Sequence, residues 1–125
     1  MSTRASTTRE QQALGAYGER VAARYLSTVG MVVVERNWRC PAGEIDLVLR
    51  EGPVLVVCEV KTRRGTEFGH PVAAVGETKL ERLHRLALFW MEAREVRCPE
   101  VRIDVVGVVQ PRQGPPQIEH VRGIG

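Results

Sequence analysis

Two short strings hold the residues best suited to chemistry: Gly43-Glu44-Ile45-Asp46-Leu47-Val48 and Cys58-Glu59-Val60-Lys61-Thr62-Arg63. Each reads as a β-strand, and Glu51-Gly52-Pro53 between them reads as a turn. Residues two apart in a strand share a face, so Glu59 and Lys61 point the same way. With Gly52-Pro53 as a two-residue hairpin loop, Glu51 faces Val54, and counting along the ladder sets Asp46 opposite Glu59. Two carboxylates and an ammonium then converge on one patch, within reach of a divalent cation and its attacking water. That is the pattern of metal-dependent phosphodiester cleavage. A one-residue slip would carry Asp46 to the other face and destroy it. The apolar residues support the register: Ile45, Leu47 and Leu49 share a face with Val54, Val56, Cys58 and Val60 in the same alignment.

Several elements must position this hairpin. Residues 1–9 are small and polar and predict a disordered tail ahead of a single domain over 10–125. From Glu10 to Val29, Leu14, Tyr17, Val21, Ala22, Tyr25, Leu26 and Val29 recur at helical spacing, with Gly30 as C-cap. Glu19 lies on the flank of that stripe. Met31 to Arg36 reads as a β-branched strand and Asn37 to Gly43 as a loop. After the hairpin, Arg64 to His70 is a Gly-containing connection. A second helix starts between Pro71 and Thr78, with Pro71 as a first-turn residue and Gly76 marking a kink or break. Its buried stripe is Leu80, Leu83, Leu86, Ala87, Trp90 and Met91, with Lys79 at the edge. Val101 to Val109 is a strand apolar on both faces, and Gln117 to Val121 a short edge strand. The order is αβββαβ with an optional last strand, an α/β fold with a mixed, mainly antiparallel sheet flanked by helices.

The chain has 125 residues, 43% apolar and 26% charged, enough for one domain with a core of its own. No apolar run approaches the ~20 residues that span a bilayer, and the polar start has no signal-peptide core, so no membrane partner is expected. Three cysteines without zinc-ligand spacing argue against a disulfide framework and for a cytoplasmic location. A net charge of +3 permits a nucleic-acid partner without demanding one. Among the eighteen cationic residues only Lys61 and Lys79 are lysines. A compact ammonium suits a metal-bound water or a phosphate, which singles these two out.

Gly18-Glu19 with the Ala-rich helix and Tyr25-Leu26, Arg36-Asn37-Trp38-Arg39, Gly43 to Val48, Glu59 to Arg63, Lys79 and Arg102-Ile103-Asp104-Val105-Val106 together resemble the bacterial YraN-type family. The resemblance spans about Leu14 to Val121. It implies a restriction-endonuclease-like fold related to archaeal Holliday junction resolvases, of the PD-(D/E)xK type, with Ile45-Asp46 in place of Pro-Asp. Position by position it implies catalytic roles for Glu19, Asp46, Glu59 and Lys61, with Asp46, Glu59 and the Val60 carbonyl as ligands of Mg²⁺ or Mn²⁺. Such a site would make the chain an endonuclease-like phosphodiesterase acting on nucleic acid, with branched or structured DNA as the expected substrate.

Glu44 shares a face with Asp46 and reads equally as an outer ligand or a solvent-facing acid. Arg39, Arg63, Arg64 and Lys79 are candidates for phosphate contact, and Arg36 flanks the same centre. Trp38 could stack on a base or fill the core. Asp104, in a nearly continuous apolar strand, needs a partner such as Arg102. His70, His84 and His120 suggest no ligation or nucleophilic catalysis. A domain of this size has little room for a catalytic site and broad DNA contacts together, which leaves a homodimer open. The rival reading is a non-catalytic nucleic-acid-binding or partner-binding module on a nuclease fold.

Overall fold

The structure is a computed structural model that describes residues 3–65 and 76–124, with side chains from Thr8 onward. Helix α1 (Thr3–Thr28) leads into β1 (Val32–Cys40), β2 (Gly43–Glu51) and β3 (Val54–Arg63). Helix α2 (Glu77–Arg94), β4 (Glu100–Val109) and β5 (Gln117–Val121) follow. The five strands form one sheet in chain order. Strands β3 and β4 are parallel and every other neighbouring pair is antiparallel. A parallel pair needs a long crossover, and α2 lies within it.

The hairpin register is the expected one. Glu51 faces Val54, and the ladder runs through Arg50–Leu55, Leu49–Val56 and Val48–Val57 to Leu47–Cys58. Gly52 at φ 59 supplies the positive first turn angle, and Pro53 fixes a negative second one, as a II′-type hairpin requires. The sheet is buried on both faces. On one, Ala22, Ala23 and Leu26 of α1 pack against Leu47, Leu49, Val56, Cys58 and Val60. On the other, Leu83, Leu86, Ala87 and Trp90 of α2 pack against Ile45, Val48, Leu55, Val57 and Ile103.

Several boundaries differ from the sequence reading. Helix α1 begins at Thr3 rather than Glu10, and no Gly or Pro interrupts Thr3 to Leu14. It ends as expected at Gly30, φ 99, with Met31 N–H donating to the Leu26 carbonyl at 3.0 Å. Residues Asn37 to Cys40, expected as loop, continue β1 up to a tight turn at Pro41-Ala42. Gly76 is the N-cap of α2 and not a kink within it. Pro71, His70 and most of the expected Arg64–His70 connection lie outside the described residues.

One departure shapes the site. Ile45 packs with Trp38 on the α2 side, whereas Leu47 and Leu49 face α1, so the expected alternation of these three breaks at Asp46. On β1 the pairs Arg36–Leu47 and Trp38–Ile45 bracket Asn37, which has φ 52 and lies opposite Asp46. A non-glycine residue at positive φ is uncommon, and Asn tolerates it best.

Candidate active site

Asp46 sits where β2 loses regular pairing on both sides. Beyond Leu47–Cys58 the regular ladder with β3 stops, and Val60 N–H donates to Asp46 Oδ2 at 2.9 Å. Glu59, one residue earlier on β3, is buried at 6% exposure and points to the α2 side. Its Oε2 accepts Lys79 Nζ of α2 at 2.5 Å and Lys61 Nζ at 3.3 Å. Helix α1 brings the third acid. Gly18 lies so close to β3 that a Cβ there would stand 1.8 Å from Thr62 Oγ1, and this close crossing delivers Glu19 to the centre. The Asn37 side chain neighbours Glu19 and favours its charged form.

The charges act on one another. Burial pushes the Asp46 carboxyl up, and the neighbouring Glu59, Glu19 and Glu44 add to it against the Val60 N–H bond, raising it to about 7. Glu19 is also raised, by burial first, with Asn37 opposing and Glu44 and Glu59 reinforcing. Lys61 is lowered by burial and by the adjacent Lys79. Burial pulls Lys79 down too, but its bonds to Glu59 and Lys61 outweigh this and leave it raised. The centre thus collects more carboxylate than its two ammonium groups satisfy. Glu44, Asp46, Glu59, Lys79 and Arg82 line a small polar cleft of about 200 Å³, with Leu83 and Leu86 of α2 at its base.

Glu19, Asp46, Glu59 and Lys61 therefore come together. Lys79, nominated for phosphate, belongs to the acidic centre itself. Glu44 lines the cleft and accepts Arg39 Nε at 2.6 Å, so Arg39 is tied to an acid, although its side chain is 80% exposed. Arg63 has its Nε buried without a hydrogen-bond partner among the described residues, and Arg64 is exposed at the end of β3. Trp38 is core, packed on the α2 side, where it cannot stack on a base. Among the described residues no three His, Cys, Asp or Glu side chains form a ready metal cage.

Sequence reasoning missed Asn37 and His120. Asn37 had a signal, an Asn within a β-branched strand, but only the folded hairpin sets it opposite Asp46. His120 Nε2 contacts Asp104 Oδ2 at 2.8 Å, alongside bonds to Asp104 from Arg102 Nε at 2.8 Å, Arg102 Nη2 at 3.0 Å and Gly123 N–H at 3.0 Å. Arg102 also reaches Glu51 at 2.7 Å. Asp104 is thus the expected structural acid, fully buried and fully partnered.

These features define an α/β protein with a carboxylate–lysine centre between its two helices, at the point where the central hairpin loses its regular pairing. The chain belongs to the uncharacterised protein family UPF0102, whose model matches residues 18–108 and includes every residue of the centre. It is 60% identical to a UPF0102 protein of Nocardioides sp. over 115 residues, covering 92% of this chain and 93% of that one. It is 56% identical to a UPF0102 protein of Beutenbergia cavernae, covering 94% and 99%. A UPF0102 protein of Streptomyces griseus is 58% identical, with 90% and 95% covered. UPF0102 is the YraN-type family that the motifs resemble. Among the described residues no helix is long and apolar enough to cross a membrane.

Proposed function

We propose that this chain is a metal-dependent nucleic-acid phosphodiesterase, an endonuclease of PD-(D/E)xK type related to the junction resolvases and directed at branched or structured DNA. The observation that carries the reading is that Glu19, Asp46, Glu59 and Lys61, from three elements, neighbour one another around a cleft lined by Asp46 and Glu59. The donors are hard carboxylate and carbonyl oxygens, which suit Mg²⁺ or Mn²⁺. Mg²⁺ keeps several waters and needs only one or two carboxylates, which Asp46 and Glu59 supply. The upward push on Asp46 supports the same fit, because it marks negative charge that a divalent cation would relieve.

Asp46, Glu59 and the Val60 carbonyl would hold the ion. The chemistry such an ion supplies is neutralisation of phosphate charge and acidification of water. Lys61 places a positive charge beside the carboxylates, where it stabilises charge growing on the phosphodiester in the transition state. Asn37 neighbours Glu19, and burial with like charges makes Glu19 a better proton acceptor than an ordinary glutamate. Lys79 holds Glu59 in place from α2. Arg63 and Arg64 leave the cleft along β3 and supply phosphate contacts.

The double ion pair on Glu59 favours the second reading, a binding module whose acids are satisfied by lysines. Calorimetry with Mn²⁺ and Mg²⁺ on the wild type and on Asp46→Asn separates the two. Binding by the wild type and its loss in the variant is the expected result. Equal heats for both, with no cleavage of linear, flapped or four-way-junction DNA or of structured RNA, would give the binding module the better claim.

A further inference from the structure

Between α1 and β5 lies a groove of about 420 Å³ lined by Tyr17, Arg20, Val21, Arg24, Tyr25 and Ile118. We propose that this groove is a second nucleic-acid contact, taking an unpaired strand of the substrate; the assignment rests on the nucleic-acid reading above.

Both rings are anchored before any ligand arrives. Tyr17 OH donates to Gln110 Oε1 at 2.6 Å, and Tyr25 meets the His120 ring edge-on, with centroids 5.6 Å apart at 89°. His120 is fixed in turn by Asp104. Aromatic walls whose orientation is already set lose little freedom on stacking. Arg20 and Arg24 are exposed, and neither guanidinium has an ion-pair partner among the described residues. They stand one helical turn apart, about 6 Å along α1, the scale of neighbouring phosphates on an extended strand. Two exposed cations and two rings lining one groove match a ligand that alternates anionic phosphates with flat bases. A duplex keeps its bases stacked inside and offers these rings nothing, which is why the occupant is an unpaired strand.

The Tyr17 end of the groove is tied to the end of β3. Tyr17 precedes Gly18, the residue that packs on Thr62 next to Lys61. Its partner Gln110 donates its N–H to the Arg63 carbonyl at 2.8 Å. The groove is thereby fixed to the strand that carries Glu59 and Lys61. Branched and flapped substrates possess unpaired or splayed strands.

The test is fluorescence anisotropy of a short labelled oligothymidylate on the full chain in EDTA, so that metal plays no part. Relative to the wild type, the double variant Arg20→Gln/Arg24→Gln is expected to weaken binding and reduce the log–log salt slope by about 1.4, from two phosphate contacts on a single strand. Tyr25→Leu and Tyr17→Leu, checked for folding by circular dichroism, are each expected to cost about tenfold with the slope unchanged. No oligonucleotide binding by the wild type would remove both this proposal and the nucleic-acid reading beneath it. Wild-type binding that survives the arginine variant with its slope intact would remove the groove alone. So would an equal loss of duplex binding in the variants, or competition by an acidic peptide that outweighs competition by the unlabelled strand.

Discussion

Replacing Asp46 by Asn should stabilise the fold while it removes metal binding. In the folded chain the Asp46 carboxyl is raised from 3.8 to about 7 by burial and by Glu59, Glu19 and Glu44. The unfolded chain keeps the ordinary value, so between about pH 4 and pH 7 the native state binds more protons than the unfolded one, and stability falls as pH rises. The stability of the protonated form is complete below the unfolded value and lost as pH climbs through the folded one. A rise of about three units at 1.36 kcal/mol each amounts to about 4 kcal/mol of penalty above neutrality. Asn carries no charge and retains an oxygen that can accept the Val60 N–H. Asp46→Asn is therefore expected to gain about 2–4 kcal/mol over wild type at pH 8 in EDTA and almost nothing at pH 4. Urea denaturation at the two pH values gives the numbers. Added Mg²⁺ should stabilise only the wild type and narrow the gap. A variant less stable than wild type at pH 8, or a difference independent of pH, would refute the electrostatic account of the centre.

Lys61→Ala should retain the fold and metal affinity while cleavage drops about 10²-fold or more, as expected for one preorganised transition-state charge; cleavage assays beside calorimetry check it. Gly18→Ala should force α1 off β3 and displace Glu19, costing about 1–3 kcal/mol by overpacking, and Thr62→Gly in the same chain should restore most of it in a double-mutant cycle. Asp104→Asn should lower stability by about 2–4 kcal/mol in urea without touching metal affinity, because it strands part of a buried charge network. Arg102, His120 and the Gly123 N–H outweigh the upward push of burial and hold Asp104 below its ordinary value, so its contribution is present above about pH 4 and lost as pH falls through the folded value.

Much of the fold was legible because two independent signals agreed on it. The Gly52-Pro53 turn and the parity of Leu47, Leu49, Val56 and Cys58 both specify the register that puts Asp46 against Glu59. A strand apolar on both faces marked β4 as interior, and the burden of a carboxylate there required the Arg102 partner. The position of Lys79 was not legible in the same way. A helix residue's place over a sheet depends on the path of the crossover, and residues 64–76 carry no periodic pattern that fixes that path. His120 was invisible for a similar reason: its partner is sixteen residues away on a neighbouring strand, and nothing in the spacing pairs them.

The readings that failed inside the hairpin failed together, and their location carries meaning. A loop was expected from Asn37 to Gly43, and the chain in fact remains a strand through Cys40 with Asn37 turned to φ 52. Strict alternation was expected of Ile45, Leu47 and Leu49, and it breaks at Asp46, opposite that same Asn. Together these two irregularities mark where the central hairpin leaves regular pairing, and there Asp46 turns its carboxylate to the Val60 N–H and Asn37 neighbours Glu19 of α1. Local rules broken at one spot, on two strands at once and beside an over-supply of carboxylate, are what the proposed site would require of its scaffold. Substituting Asn for Asp46 would relieve the raised carboxyl and keep an acceptor for the Val60 N–H, so the pH-dependent gain of Asp46→Asn measures what the negative charge at that position costs the fold.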